Sequence, residues 1–432
     1  MSERTSPRTG AFRHAGFRLY WIARFLGTFS AQIMGVSVGW QVYDLTRDPF
    51  DLGMVGLALF LPAFLLVLVT GPVADRFNRV LIVTGCLAGE AVCALALLLL
   101  TMTGEHGVVL VFCTLVVLGT LRAFFGPAQQ SLMPSLVPAE DLGSAIAWGA
   151  STWQIATVLG PVAGGLLYGM SPEAAYIISF LLLAIGTVLA AAIRVLASAE
   201  DAGEKEKPSF ETLVAGFRYI WKEKIVLGAI SFDLFAMLLG GASALLPVYA
   251  RDILAVGPWG LGLLRAAPGI GSILVAAFLL RNPVKDHAGV IMFVCVALVG
   301  FFTAVFGASK EVWLSVLALG LMGAFDMVSV YIRETLIQLW TPDAVRGRVN
   351  AVNMLFLGAS SELGEFRAGM SAWAFGAVPA VLVGGAATIG VSALWWYLFP
   401  QLRKARNLRG PVPVDEGLGY PSSPREIPTF SN

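Results

Sequence analysis

The chain has 432 residues, of which 57% are hydrophobic and only 13% charged, with a mean hydropathy of +0.77. Such a composition excludes an ordinary soluble globular protein and implies a polytopic membrane protein. A net charge of +1, with the basic residues spread among loops, gives no signal for nucleic-acid binding.

Residues 1–16 are basic and polar, with no apolar stretch ahead of a small-residue cleavage site, so this arm is expected to stay in the cytoplasm rather than act as a cleaved signal. Twelve apolar runs follow, at 17–43, 52–74, 80–103, 108–131, 142–169, 173–195, 225–250, 258–281, 288–308, 312–336, 347–373 and 377–400. At about 20 residues or more each, they predict an all-α membrane protein of twelve transmembrane helices. Arg76, Arg79, Arg194, Arg218, Arg281, Arg346, Arg348, Arg403 and most other basic residues fall on one side of these spans, against only Arg47, Arg251 and Lys310 on the other. The bias places both termini in the cytoplasm. Cys86, Cys93, Cys113 and Cys295 all lie in apolar runs and read as small core residues.

The second and third spans are joined by Gly71 to Arg79, reading G-P-V-A-D-R-F-N-R. Gly71 allows close helix approach, Asp75 can sit at a helix N-terminus, and Arg76 and Arg79 hold the loop in the cytoplasm. This stretch resembles the G-x-x-x-D-R-x-x-R loop of the major facilitator superfamily. The resemblance implies a latch between two halves of a transporter, with Arg346 and Arg348 at the start of the eleventh span as its opposite side. In the fourth span, Leu118, Arg122 and Gly126 resemble the superfamily's l-x-x-x-R-x-x-q-G motif, with Phe125 where a polar residue is common. An arginine deep in a span costs about 2.5 to 3.5 kcal/mol on insertion scales, so Arg122 is expected to face a partner or a wet cavity. In the fifth span Gly160, Pro161, Gly164 and Gly165 resemble the antiporter motif of exporting branches; physically they permit a kink and tight helix contact.

The charge-rich stretch after residue 196 reads as a linker between halves, and Phe210, Leu213, Phe217, Ile220 and Trp221 recur at helical spacing as in an interfacial helix or a soluble linker helix. The chain thus divides into an arm (1–16), a six-helix bundle (17–196), a linker (197–224), a second six-helix bundle (225–402) and a proline-rich tail (403–432) expected to be disordered. Matches in common register relate the bundles: Gly56-Leu57 and Pro62 to Gly262-Leu263 and Pro268, and Gly119, Leu132 and Pro138 to Gly323, Leu336 and Pro342. A parallel duplication of this kind places a substrate site between the halves.

Late in the chain Asp326, Arg333, Thr341-Pro342, Arg346-Gly347-Arg348, Asn353 and Glu362-Leu363-Gly364-Glu365-Phe366 resemble the enterobactin-exporter-like branch, which macrolide-efflux proteins also resemble. Ser361 and Arg367 depart from that pattern. The resemblance implies a secondary exporter of a small amphiphilic, siderophore-like molecule of the inner membrane, working by alternating access and proton antiport as a monomer in the lipid bilayer, without cofactor or metal. The rivals are a multidrug or macrolide exporter and a non-transporting sensor or scaffold on the same fold. An enzyme is not expected: His14, His106 and His287 lie near termini or loops, with no metal or triad spacing, and no nucleotide-binding glycine loop is present.

Glu362 and Glu365 sit about one turn apart and are proton-coupling candidates with Asp326. The superfamily resemblance implies that the first, fourth, seventh and tenth spans line the central cavity. Here they carry Arg24, Arg122, Asp233 and Asp326. All four fall at roughly 10 to 15 Å from the cytoplasmic end at a helical rise of 1.5 Å. They are expected to form one layer, either as a gate between the halves or paired within each half, with Glu90 available to an arginine.

Overall fold

A computed structural model describes residues 10–103, 107–194, 217–284 and 286–405. Among them are twelve long helical segments: α1 Ala15–Thr46, α2 Pro49–Arg76, α3 Arg79–Thr103, α4 Val108–Leu132, α5 Leu142–Met170, α6 Pro172–Ala191, α7 Lys224–Ile253, α8 Gly257–Arg281, α9 Ala288–Ala308, α10 Val312–Trp340, α11 Asp343–Phe375 and α12 Ala377–Leu398. Nine of these are long and apolar enough to cross a membrane by length and composition alone. The exceptions are α1, α5 and α11, whose apolar stretches are interrupted by Gly, Ser, Gln and Trp and, in α11, by Glu362, Glu365 and Arg367.

The turns follow local chemistry. Asp48 accepts from Phe50 N at 2.9 Å ahead of Pro49, and Ser171 accepts from Ala174 N at 3.1 Å ahead of Pro172, so α2 and α6 each begin with a side-chain cap and a proline already set at helical φ. Gly376, at φ +91°, makes the reversal between α11 and α12 that a side chain would strain.

Packing repeats with a shift of six helices. In the first group α1 lies on α5 and α6, α2 on α4, and α3 on α4 and α6; in the second, α7 lies on α11 and α12, α8 on α10, and α9 on α10 and α12. Small residues make these contacts close, as expected where packing rather than apolar burial drives association. A Cβ on Gly119 would lie 2.9 Å from the Leu59 carbonyl carbon, and one on Gly323 would lie 2.6 Å from that of Pro268, so α2–α4 and α8–α10 are built alike.

Two helix pairs make most of the contact between the groups, α5 with α8 and α2 with α11, which exchange under the same repeat, and α1 adds contacts to α7 and α8. Their close contacts gather at the face opposite the α2–α3 turn. There Gly165 meets Pro258 and Gly262, and Gly53 meets Phe366 and Gly369. Asp44 pairs with Arg251, Tyr43 donates to Asp252, and Arg47 reaches Asp252 at 3.4 Å, while the Arg251 guanidinium lies 5.5 Å over Trp40. Toward the other face, Gly126 of α4, Gly143 of α5 and Gly347 and Gly358 of α11 look into open space. The close glycine contacts between the halves thus lie toward the face opposite Arg76 and Arg79, an arrangement that fits a crevice widening toward Arg76 and Arg79.

Three sequence expectations need correction. The stretch from Gly71 to Arg79 is not a loop throughout: α2 runs to Arg76 and the turn is Phe77–Asn78, so Asp75 lies in the last turn of α2 rather than at a helix N-terminus. Asn78 takes the capping position instead, accepting from Val80 N at 2.9 Å. The apolar run ends near the membrane boundary, but the helix continues past it. The seventh span is not continuous either: its first piece ends at Gly240, and the chain resumes through a 3-10 turn at Ser243–Leu245 and a π turn at Tyr249–Ile253. Gly240-Gly241, which weakens a helix interior, marks the break. Finally, the tenth span carries Arg333 and Glu334 besides Asp326, all three inside the run 312–336, so Asp326 is not its one charge. Most of the expected linker helix and tail lies outside the described residues; of the linker helix, residues 217–222 are helical, with Ile220 buried and Trp221 exposed.

Candidate functional site

Ionisable side chains inside membrane helices are costly and sit where partners or water receive them. The helices bring several of them toward the crevice or just beside it. In the first half Arg122 of α4 stands 3.9 Å from Glu90 of α3. The Glu90 side chain is 4% exposed and that of Arg122 32%, so the carboxylate is the buried member and the guanidinium reaches outward. Arg122 Nη2 is itself buried and has no hydrogen-bond partner among the described residues. Arg24 of α1 lies beside the Tyr20 hydroxyl, its Nη1 only 2.9 Å from where a Cβ on Gly149 would be. It makes no ion pair among the described residues.

In the second half Arg333 of α10 donates to Asp233 of α7, with side chains 4% and 10% exposed. Asp326, two turns earlier on α10 than Arg333, joins the pair in one electrostatic group. It makes no hydrogen bond or ion pair of its own among the described residues.

Between the halves, Glu362 and Glu365 of α11 both turn toward α2. A Cβ on Gly56 would lie 3.0 Å from Glu362 Oε2 and 3.6 Å from Glu365 Oε2. Their counter-charge is Arg265 of α8, which lies within Coulombic reach of both and rests on α1, 3.3 Å from a Cβ position on Gly35. Arg122 also acts on Glu362 across the crevice. Glycines on α1 and α2 thus make room for charged side chains from the other half. Arg367, close enough in sequence to neutralise the two glutamates, faces away: its Nε and Nη2 donate to Leu238 O at 3.0 Å and Gly241 O at 3.2 Å, the carbonyls freed where α7 breaks.

The four expected layer residues are therefore divided in this conformation. Arg122 is held by Glu90 in its own half, Asp233 by Arg333 in the other, and Arg24 and Asp326 stand without ion pairs among the described residues. Sequence reasoning misses Arg265 and sees Arg333 only as part of a motif; each is an ionisable group inside an apolar run, which is the signal that points to them. Gly160, Pro161, Gly164 and Gly165 form a seam on both sides of α5. A Cβ on Gly164 would lie 3.0 Å from Ile33 Cα of α1, and one on Gly165 would lie 3.0 Å from Gly262 Cα of α8. Of the residues expected to form a latch, Arg346 donates to Thr341 O at 3.2 Å, and the Asp75 side chain lies outside the described residues. Among the described residues no cluster of His, Cys, Asp and Glu could hold a metal ion.

Residues 6–410 match the family described as transmembrane secretion effector. The enterobactin exporter EntS of Citrobacter koseri is 27% identical over 424 residues, covering 94% of this chain and 96% of that one. The enterobactin exporter EntS of Shigella boydii serotype 18 is 26% identical over 356 residues, covering 78% and 81%. Among solved structures, the nucleoside transporter NupG superposes with a TM-score of 0.68 at 16% identity, covering 89% of this chain and 99% of that one. A bacterial homologue of the lysosomal transporter Spinster gives 0.68 at 12% identity, covering 92% and 98%. These likenesses show a transporter fold of membrane-spanning helices.

Proposed function

Because the chain belongs to the transmembrane secretion effector family of the major facilitator superfamily, we propose that this membrane transporter is a secondary exporter of a small amphiphilic organic molecule, siderophore-like in class, moved outward by alternating access in exchange for protons. The observation that carries the reading is the set of ionisable side chains gathered between the halves: Arg265 with Glu362 and Glu365 within the second half, Arg122 with Glu90 within the first, and Arg122 acting on Glu362 across the crevice. Carboxylates held against arginines in a closable crevice can exchange a proton or a polar substrate group for their counter-charge, and a scaffold would not need them. In this reading Glu362, Glu365 and Asp326 are the proton carriers. Arg24, Arg122, Asp233 and Asp326 come together when the face bearing Arg76 and Arg79 closes, and Gly71, Asp75, Arg76 and Arg79 latch that closure against Arg346 and Arg348. The excess of basic residues on that face supports an inner-membrane orientation with both termini in the cytoplasm.

The deciding experiment measures uptake of candidate amphiphiles into inverted vesicles with and without a proton gradient. Substrate accumulation that collapses with the gradient, and that loses its pH dependence in Glu362→Gln and Glu365→Gln, is expected. Accumulation indifferent to the gradient would remove proton exchange from the reading.

A further inference from the structure

The second half contains a cavity of about 190 Å³ where α7 breaks, bounded by α7, α8, α9, α10 and α12. Every described residue lining it belongs to that half, and Asp233 and Asp326 are shared with the proposed gate. Its walls are mostly apolar, with Phe232, Met237, Val299 and Met322 among them, and its charged groups are Asp233, Asp326 and Arg333.

Two carboxyl groups share one guanidinium here. Arg333 is committed to Asp233, which leaves Asp326 as the carboxylate without an ion pair among the described residues. The hydroxyls of Thr303 and Thr388 donate to Val299 O at 2.8 Å and Gly384 O at 3.0 Å, so each offers the cavity only its lone pairs. Arg333, with a side chain 4% exposed, keeps a buried Nε–H without a hydrogen-bond partner among the described residues, a donor that an ammonium does not meet. A carboxyl group without an ion pair, beside apolar walls and the lone pairs of Thr303 and Thr388, suits a ligand that brings a positive charge and N–H donors. Room for a single water takes about 10 to 15 Å³, so the space exceeds that needed by a bare ion and suits an organic body.

We propose that this cavity binds a lipophilic amine, its ammonium on Asp326 and its apolar body against Phe232, Val299 and Met322. The site is formed in the conformation described and shares Asp233 and Asp326 with the proposed gate, and binding there does not require that the amine be the cargo.

The test uses purified full-length protein in detergent and isothermal titration at about pH 7.5 with 4-phenylbutylamine and the equally shaped alcohol 4-phenylbutanol. The amine is expected to bind saturably and at least tenfold more tightly than the alcohol. Asp326→Asn should remove that preference, and Val299→Phe, which fills the cavity, should weaken the amine at least tenfold, with both variants checked for an unchanged elution profile. Equal binding of amine and alcohol to the unaltered protein, or amine binding untouched by both substitutions, overturns the proposal. Neither result bears on vesicle transport, so the two readings fail separately.

Discussion

Gly165 of α5 and Gly262 of α8 lie in direct backbone contact across the two halves, a Cβ on the first falling 3.0 Å from the Cα of the second. Neither side can give way, because the neighbouring atoms are backbone on both helices. Gly165→Leu should therefore wedge this face apart and reduce transport at least tenfold while the protein still inserts. The pair Tyr43→Cys with Asp252→Cys, at hydrogen-bonded positions on the same face, reports on it. Its crosslinking yield should fall in the Gly165→Leu background, and an unchanged yield would show that the seam does not control closure.

Arg367 should act as a structural cap rather than as a charge in the transport path. It donates to Leu238 O and Gly241 O at the broken end of α7, so Arg367→Gln leaves carbonyls unsatisfied at a cost of about 1 to 3 kcal/mol. Thermal unfolding in detergent is expected to show that loss. The pH profile of transport should stay as it was, and a shifted profile at unchanged stability would place Arg367 in coupling instead.

The buried pair of Asp233 and Arg333 should be destabilising to break and cheap to remove. Arg333→Leu alone strands a carboxylate whose side chain is 10% exposed, at a cost of about 3 to 5 kcal/mol, whereas Asp233→Leu with Arg333→Leu should recover most of the stability. A double variant no more stable than the single would mean that the pair contributes net stability of its own.

The membrane class, the helical fold and the family are legible in the sequence because they rest on runs of apolar residues and on motifs such as Gly71 to Arg79, both of which are local. The counter-charges are not, since Arg265 finds Glu362 and Glu365 only when α8 and α11 are placed beside α1 and α2. Arg367 shows the same limit. Two positions after Glu365, it serves the broken end of α7 and leaves the glutamates to Arg265. The break in α7 is half visible, in that Gly240-Gly241 weakens a helix, but only packing decides whether such a pair bends or breaks it.

Arg122 stands between two carboxylates, Glu90 in its own half and Glu362 in the other, so removing either should move the protein in opposite directions. Glu90→Gln releases Arg122 to act on Glu362 and should favour the conformation described, with Tyr43 beside Asp252. Glu362→Gln removes the cross-half partner and should favour its loss. At an effective dielectric constant of about 20, a charge pair at about 4 Å, as between Arg122 and Glu90, is worth about 4 kcal/mol; Arg122 and Glu362 are farther apart and interact more weakly, and a shift of about 1 to 2 kcal/mol would remain after solvent screening. That corresponds to a change of roughly 5- to 30-fold in the ratio of conformations. Spin labels on the exposed ends of α1 and α7 would read the ratio directly, and both variants should transport more slowly because each biases the proposed alternating-access cycle, which needs both states. Shifts of the same sign in the two variants would show that Arg122 does not link the halves through Glu362.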